Sequence, residues 1–440
     1  MTGQRTRISL VEYSTSDDVA LHISKATGMQ REQAKLLLIE AGWRVAAVLG
    51  YNTNPIVVDS KGVRAVDVSG LIRIGPSLEL EIAPKFLGLD KSDPRWREDF
   101  FYLAALSRHG RLLNRESLSS STSSSRDLST LVARSLTGMF ETRKRRPLRS
   151  YRRLRERDFY IDGDPDPIEL MFPDPDGFEQ EFIRYDRKNN WNAIVLAAAR
   201  ELLPEVSDAA AAAKLLRMIE GLTPQVRRPA GRGTQLPSRH RSWQPVLDLS
   251  QDVLNGMGIT LMSGYAHSPG FVLSTWRVWE DLLTLSAYLG FGRANVRSQS
   301  KFGLGTRTLS EAGGREEPVN VVPDCFIGTS KAGISFILDA KYKGRTERTI
   351  TRIGEADIYE ALAFAKATRV SNVVLCYPAT PDVGLTDLGE SKSIEKVNVD
   401  GVTISGLQFD VRGVSRVNGV RHFSKKLVSS VEAELGSSSM

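Results

Sequence analysis

The stretch from residue 319 to residue 343, VNVVPDCFIGTSKAGISFILDAKYK, constrains the fold of this chain most. Val319–Ile327 is rich in β-branched and aromatic residues, and Ile334–Tyr342 is apolar again. Between them, residues 328–333 (GTSKAG) have the composition of a tight turn. The pattern predicts two antiparallel strands joined as a hairpin.

The hairpin brings charged side chains together at its open end. Pairing about the midpoint of the turn sets Asp324 opposite Asp339. Asp339 and Lys341 are two residues apart and therefore point to the same face of the strand. Two carboxylates can hold Mg²⁺ or Mn²⁺, and a lysine beside them can orient a nucleophile or neutralise phosphate charge. The hairpin therefore predicts metal-dependent cleavage of a phosphodiester.

These residues resemble the signature of the PD-(D/E)XK nucleases, which is carried here by Pro323-Asp324 and then by Asp339-Ala340-Lys341. The resemblance implies a restriction-endonuclease-like mixed sheet flanked by helices. It also implies that Asp324 and Asp339 bind the metal and that both act in catalysis with Lys341. The alternative is a surface turn with an exposed salt bridge, because a lone Pro-Asp or Asp-x-Lys arises by chance in most proteins of this size.

The PD-(D/E)XK family also places an acid on a helix before the hairpin. Phe271–Gly290 (FVLSTWRVWEDLLTLSAYLG) looks like that helix. At about 100° per residue, Glu280 shares a face with Trp276 and Leu283, whereas Asp281 points elsewhere. Glu280 is therefore predicted as the third metal ligand and as a member of the catalytic set.

A later predicted helix, Gly354–Thr368, departs from the family pattern. Relatives often carry Gln-x-x-x-Tyr there, whereas this chain has Glu360 and Phe364. The contribution of this helix to the site stays open at the level of sequence.

Length, composition and charge limit the class of protein. A chain of 440 residues has room for two or three domains. No apolar run approaches the length of a membrane span, and no signal-peptide pattern opens the chain, so no membrane partner is expected. Cys325 and Cys376 are the only cysteines, which excludes a disulfide framework and favours a reducing cytoplasm. The net charge of +7 suits a nucleic-acid partner such as DNA.

Periodicity along the chain predicts an α+β and α/β multidomain protein. Residues 1–90 read as a strand-rich N-terminal domain, because Val63–Ile74 and Leu78–Ala83 alternate in the manner of half-buried strands. Residues 91–257 read as a helical middle region, and residues 258–435 as the nuclease domain. The boundaries rest on changes in composition and on turn signals.

The most basic segment is Arg143–Arg157, with nine Lys and Arg against one Glu. A charge run of this kind is most often a solvated face. Contact with the phosphate backbone of DNA is predicted here, and an acidic protein surface is the competing partner. The candidate DNA-binding residues are Arg143, Lys144, Arg145, Arg146, Arg149, Arg152 and Arg153.

Four segments are predicted to lack regular structure because they are polar or rich in Pro and Gly. They are the serine-rich loop Ser117–Ser125, the acidic linker Ile161–Gly177, the basic loop Pro224–Pro237 and the tail Gly436–Met440.

Short segments over nearly the full length resemble McrC, the nuclease subunit of McrBC-type modification-dependent restriction systems. The last of them coincides with the nuclease motif, and the others lie in the N-terminal and middle regions. They are Leu10–Tyr13 (LVEY), Gly70–Ile74 (GLIRI), Leu80–Phe86 (LEIAPKF), Asn189–Ala193 (NNWNA) and Asp339–Lys343 (DAKYK).

The resemblance to McrC implies a partner, an AAA+ NTPase of the McrB type, whose ring the N-terminal part of McrC-like proteins engages. We expect residues 1 to about 250 to bind that ring, and the strand edge before Pro84-Lys85 to be available to it. Two alternatives stay open. One is a stand-alone PD-(D/E)XK nuclease of restriction or repair, and the other is a non-catalytic activator of an NTPase.

Overall fold

A computed structural model describes residues 6–75, 78–89, 95–109, 128–206, 208–222, 236–254, 271–309, 315–328, 334–342 and 352–436. The predicted loop Ser117–Ser125, most of the loop Pro224–Pro237, the hairpin turn at residues 329–333 and the tail after residue 436 lie outside these ranges. The chain divides into two compact units, one made of residues 1–128 and 258–440 and the other of residues 129–257.

The first unit begins with a strand-rich part whose elements follow one another closely. They are β1 (Thr6–Val11), α1 (Asp18–Thr27), α2 (Arg31–Leu49), β2 (Ile56–Asp59), β3 (Gly62–Ala65), β4 (Val68–Gly75), β5 (Leu78–Ala83) and α3 (Arg95–His109).

The second unit combines helices with short strands. Its elements are α4 (Leu128–Arg143), β6 (Ser150–Asp158), β7 (Asp164–Pro165), α5 (Pro167–Met171), β8 (Phe178–Asp186), α6 (Asn190–Leu202), α7 (Ala209–Leu222) and α8 (Gln244–Leu254).

The first unit then resumes with the elements that carry the predicted nuclease residues. They are β9 (Phe271–Ser274), α9 (Thr275–Phe291), β10 (Val296–Ser298), β11 (Phe302–Leu309), β12 (Arg315–Val321), β13 (Cys325–Ile327), β14 (Phe336–Ala340), α10 (Glu355–Thr368), β15 (Asn372–Pro378), β16 (Ser391–Val399), β17 (Val402–Phe409) and α11 (Gly419–Gly436).

The N-terminal sheet has the strand order β1-β5-β4-β9 in the described residues. β5 pairs in parallel with β1 and antiparallel with β4, and all six of its residues are buried. The predicted free strand edge before Pro84-Lys85 is therefore wrong, because β5 is an interior strand with both edges paired. The predicted strand Val63–Ile74 is also two strands, since the chain turns at Asp67 with a φ of 55°.

A larger mixed sheet has the order β10-β13-β14-β15-β17-β16. β14, β15 and β17 run parallel, and the outer pairs run antiparallel. Apolar residues of α10 and of the central strands form one core beneath it. On α9, the Trp279 indole is buried and donates a hydrogen bond to the Cys376 carbonyl at 3.1 Å, which fixes this helix against β15.

The predicted hairpin is confirmed in register and corrected in extent. β13 and β14 pair with Cys325 opposite Leu338, which is the register expected for a turn centred between residues 331 and 332. The predicted strand Val319–Ile327 is broken, however. Residues up to Val321 belong to β12, which pairs with β11 in a separate sheet. The break coincides with Pro323, which cannot donate a ladder hydrogen bond.

The second unit contains strands as well as the helices predicted for the middle region. β6, β8 and β7 form a three-stranded antiparallel sheet in the described residues. The predicted acidic linker Ile161–Gly177 contains β7 and the short helix α5, and Asp166 caps that helix by accepting from the backbone of Ile168 at 2.8 Å. Cross-strand Arg–Glu pairs stabilise β6 in an extended form.

Across the described residues, the helices are all too short or too polar to cross a lipid bilayer.

Candidate active site

The carboxyl groups of Asp324 and Asp339 each accept a hydrogen bond from a backbone N–H of the facing segment. Asp324 directly precedes β13, and its backbone N–H donates to Asp339 Oδ1 at 3.2 Å. In return, the backbone N–H of Ala340 donates to Asp324 Oδ2 at 2.7 Å. The antiparallel register puts the two residues side by side. The two carboxylates therefore have fixed positions at the end of the β13–β14 pair.

Lys341 joins these carboxylates to α10. Its Nζ lies 2.7 Å from Asp339 Oδ2 and 2.6 Å from Glu360 Oε2. The backbone N–H of Lys341 donates to the Cys376 carbonyl at 2.8 Å, and the Phe364 ring centroid lies 5.9 Å from Nζ. Glu360 and Phe364, whose role the sequence left open, thus both contact the lysine.

Glu280 lies on α9 and reaches the site through a residue that the sequence analysis missed. The side-chain amide of Gln299 donates to Glu280 Oε1 at 2.6 Å and to Asp324 Oδ1 at 2.8 Å. Gln299 follows β10 with a left-handed φ of 49°, and its backbone N–H donates to the Asp324 carbonyl at 3.1 Å. Asp281 is exposed, as the helical periodicity predicted. Trp279 rather than Trp276 is the tryptophan fully buried on this helix.

Burial opposes ionisation of the acids at this site. It raises the pKa of Asp339 to about 7, although the Lys341 charge works in the opposite direction. It raises the pKa of Asp324 to about 6, and the nearby charge of Glu280 adds to this effect. Burial also raises the pKa of Glu280. Burial alone would lower the pKa of Lys341, but the charges and hydrogen bonds of Asp339 and Glu360 together outweigh it and the pKa is raised.

The donor set fits a hydrated divalent cation. The site has four acidic side chains and one ammonium, which contacts two of them, so the described side chains carry excess negative charge when ionised. Asp339 Oδ2 is buried and accepts no hydrogen bond from the described residues, although Lys341 Nζ lies within ion-pair distance. No trio of His, Cys, Asp or Glu in the described ranges is spaced to enclose a metal unaided. Mg²⁺ ordinarily keeps several waters and uses one or two carboxylates, a requirement that Asp324 and Asp339 satisfy.

Comparison with known proteins places the chain in a family. The model of the McrBC 5-methylcytosine restriction system component matches residues 63–378. The chain belongs to this McrBC family. No curated protein matches it.

Two solved structures are similar to this McrBC family member. One is a chain of the "Refined half-complex from tetradecameric assembly of Thermococcus gammatolerans McrB AAA+ hexamers with bound McrC", with a TM-score of 0.66 and 13% identity over 97% of this chain and 100% of that chain. The other is the "Cryo-EM structure of the Thermococcus gammatolerans McrBC complex", with a TM-score of 0.46 and 12% identity over 64% and 86%. The predicted resemblance to McrC is confirmed.

The predicted DNA-binding residues of this McrBC family member are largely engaged within the second unit. Arg143 donates to the Met139 carbonyl at 2.8 Å and also to the Ser242 carbonyl, and Lys144 forms an ion pair with Glu141. These contacts hold the end of α4.

The arginines of β6 pair with acids across the sheet. Arg152 lies 3.0 Å from Asp186, and Arg153 lies 3.3 Å from Glu181. Arg149 lies with its guanidinium 5.9 Å from the Tyr185 ring centroid. The remaining two candidates, Arg145 and Arg146, are exposed.

Residues 150–186, which we call the arm, comprise β6, β7, α5 and β8. The arm contains five arginines against eleven Asp and Glu, so it is acidic overall despite its basic first strand. It also exposes many large apolar side chains. They are Tyr151, Phe159, Tyr160, Ile161, Ile168, Leu170, Met171, Phe172, Ile183 and Tyr185.

A basic cleft of about 510 Å³ lies between α4 and α7 in the same unit. Phe140 and Met218 contribute apolar surface to it. Glu141, its acidic lining residue in the described chain, is already paired with Lys144. The sequence showed no signal for this cleft because its basic residues come from separate segments. They are Lys144, Arg187, Lys214 and Arg217.

Proposed function

We propose that this chain is the DNA-cutting subunit of an McrBC-type restriction system, with a PD-(D/E)XK nuclease site that uses Mg²⁺ or Mn²⁺. The observation that carries the proposal is the pair of backbone hydrogen bonds, from Asp324 N–H to Asp339 and from Ala340 N–H to Asp324, which fixes the two carboxyl groups beside Lys341. Membership of the McrBC family supports the same biological role.

Each residue has a distinct task in the proposed reaction. Asp324 and Asp339 hold the cation, and Gln299 orients Glu280 toward it. When bound, the cation supplies Lewis-acid activation of water and offsets phosphate charge. Lys341 is kept protonated by its acidic neighbours, so it serves as a fixed positive charge beside the scissile phosphate rather than as a base.

The test compares cleavage of methylated DNA by Asp339→Ala, Lys341→Ala and Glu280→Ala variants, each with the AAA+ partner and Mg²⁺. We expect cleavage to fall by about 100-fold or more in the first two, because removing a group that acts in the reacting complex typically costs this much. Lys341→Ala should still bind Mn²⁺, whereas Asp339→Ala should bind it more weakly. The exposed neighbour Asp281→Ala is the control for Glu280→Ala and should cut normally.

Wild-type cleavage by Asp339→Ala would reject the proposed site. Absence of cleavage by the wild-type chain, with normal stimulation of the partner NTPase, would favour the non-catalytic activator. Full cleavage without any NTPase would favour the stand-alone nuclease.

We further propose that the AAA+ partner docks on the arm. The arm exposes ten large apolar side chains within 37 residues, and large exposed apolar surfaces mark sites of protein–protein interaction. The similar solved assembly contains McrB AAA+ hexamers with bound McrC. The interior position of β5 removes the strand edge that the sequence suggested for this role.

The docking test uses Phe159→Ser and Phe172→Ser on the arm, whose native side chains are 60% and 77% exposed. Leu36→Ser and Trp43→Ser on α2 are the matched controls, and their native side chains are 66% and 52% exposed. They test the alternative that the partner docks on the N-terminal part. We expect the arm variants to weaken partner binding by about tenfold or more, as for buried aromatic anchors. Weakening by the α2 variants alone would transfer the docking surface to the N-terminal part.

DNA phosphates are proposed to bind at the basic cleft. Its cations lie around a concave surface, whereas several arginines of β6 are neutralised by acids of β8. Lys144 belongs both to the cleft and to the basic segment predicted from the sequence.

A further inference from the structure

A buried glutamic acid side chain joins the N-terminal sheet to the residues that follow the proposed nuclease site. Glu12 follows β1 and is 1% exposed. Its Oε2 accepts a hydrogen bond from the hydroxyl of Tyr342, which lies 330 residues further along the chain. Tyr342 directly follows Lys341. The N-terminal sheet therefore contacts the residue next to the proposed catalytic lysine.

The surroundings of this hydrogen bond restrain the Tyr342 ring. Phe86 packs edge-on against it at 6.1 Å between centroids. Lys85 Nζ lies 4.2 Å from the centroid of the same ring and 5.0 Å from that of Tyr13. The backbone N–H of Lys85 also lies 3.4 Å from Glu12 Oε2. Tyr342 is thus held on several sides by residues of the N-terminal sheet.

Glu12 is an unusual residue to bury for stability alone. Its Oε1 accepts no hydrogen bond from the described residues, and burial raises the pKa of its carboxyl to about 8. A buried oxygen without a hydrogen-bond partner destabilises the fold, because it has lost its contact with water. An apolar residue would fill the site without this cost, so the buried carboxyl group calls for a functional explanation.

Lys341 lies at the end of the sheet, where a single backbone hydrogen bond to a neighbouring strand holds it. β14 ends at Ala340, so Lys341 lies beyond the last paired residue. One restraint is its own N–H bond to the Cys376 carbonyl. The next described anchor along the chain is the Tyr342 hydroxyl on Glu12.

We propose that Glu12 and Tyr342 are positioning residues for Lys341, and that their hydrogen bond sets the lysine relative to Asp339 and to the scissile phosphate. The proposal rests on the proposed nuclease function. The N-terminal sheet is then part of the cutting machinery as well as a neighbouring structure.

The test uses the full chain with its AAA+ partner and compares Tyr342→Phe, Glu12→Leu, the double variant and Glu12→Gln. Tyr342→Phe keeps the ring and removes the hydroxyl. We expect the maximal cleavage rate to fall about tenfold or more, since misplacement of a reacting group by an ångström can cost on the order of 100-fold. The double variant should be no slower than the slower single variant, because both changes break one bond. Glu12→Gln keeps an acceptor oxygen and should restore most of the rate.

Three readouts separate positioning from general damage. Mn²⁺ affinity, the apparent KM for DNA and stimulation of the partner NTPase should each stay within about twofold of wild type in Tyr342→Phe, because metal ligands and docking surfaces are untouched. Tyr13→Phe is the matched control. It removes a tyrosine–carboxylate bond to Asp67 within the N-terminal sheet and leaves Tyr342 intact.

Two outcomes would overturn the proposal: a wild-type rate in Tyr342→Phe, or an equal loss in Tyr13→Phe. Neither outcome bears on the nuclease assignment, which depends on Asp339→Ala. If Glu12→Leu fails to fold, Tyr342→Phe and Glu12→Gln still test the proposal, because each changes only one or two atoms.

Discussion

At the scale of single residues, two buried acids stand out. Asp339 and Glu12 are 3% and 1% exposed; Asp339 Oδ2 lies 2.7 Å from Lys341 Nζ, whereas Glu12 Oε1 accepts no hydrogen bond in the described chain. Buried ionisable groups of this kind are expensive, and they tend to mark functional sites. One belongs to the proposed metal site, and the other contacts the residue beside Lys341.

The raised pKa of Glu12 makes a prediction about stability. The folded protein retains a proton on Glu12 that the unfolded chain releases above its usual pKa of 4.5. The stabilising effect is fully present below that value and is lost as the pH rises through about 8. The Glu12→Gln variant has no proton to release at this position and therefore does not lose this stability. The difference between its free energy of unfolding and that of wild type should rise with pH by up to about 1.4 kcal/mol per pH unit.

Urea unfolding at about pH 5 and about pH 6.5, in a chelator, measures this difference. Burial lowers the pKa of Lys85 to about 8, so the lysine stays protonated in both states over this range and adds no slope. Tyr13→Phe retains Glu12 and should follow the wild-type slope. Parallel pH profiles for wild type and Glu12→Gln would contradict the prediction.

The sequence predicts those site residues whose relative positions depend on a single hairpin or a single helix. Asp324, Asp339 and Lys341 follow from hairpin register and strand alternation, and the orientation of Glu280 follows from helical periodicity. Gln299 and Glu12 could not be predicted in this way. Gln299 reaches the acids through a left-handed turn after a strand of three residues, and Glu12 meets Tyr342 only through the tertiary fold.

At the scale of elements, the errors of sequence reasoning have a common cause. A run of apolar or charged residues identifies a segment but does not say which neighbour pairs with it. The composition of Val319–Ile327 predicts one strand, but its two halves join different sheets. Arg143–Arg157 forms one basic segment in the sequence, but it is divided between the end of α4 and β6, where acids of β8 neutralise several arginines.

The difference between the cleft and β6 leads to a prediction about DNA binding. Lys214→Ala with Arg217→Ala should weaken binding to all sequences and reduce the slope of log affinity against log salt by about 1.8, since each phosphate contact on duplex DNA contributes about 0.9. Arg153→Ala with Arg155→Ala is the matched control of equal charge change. Because these arginines pair with Glu181, they should leave the slope nearly unchanged.

Fluorescence anisotropy with a labelled duplex over a salt series gives both slopes. If the salt slope is unchanged in the cleft variant and reduced in the β6 variant, the basic strand is the DNA contact, as the sequence predicts.

At the scale of the whole molecule, the order of elements along the chain differs from their order in space. The N-terminal sheet takes its fourth strand, β9, from residues 271–274, on the far side of the second unit in sequence. A fragment ending before residue 258 therefore lacks a strand of that sheet. The role of residues 1 to about 250 in partner binding is better tested by substitutions in the intact chain than by truncation.

The interrupted first unit also has a consequence during synthesis. About 190 residues separate the end of β5 from the end of β9, and a ribosome adding roughly 5–20 residues per second needs on the order of 10–40 s to make them. The second unit is complete before β9 emerges, and Tyr342 emerges later still. Under the proposed function, a nascent or prematurely terminated polypeptide cannot assemble the cutting site. Under the same proposal, the cell's own DNA meets no complete cutting site until Tyr342 has been made and has joined Glu12.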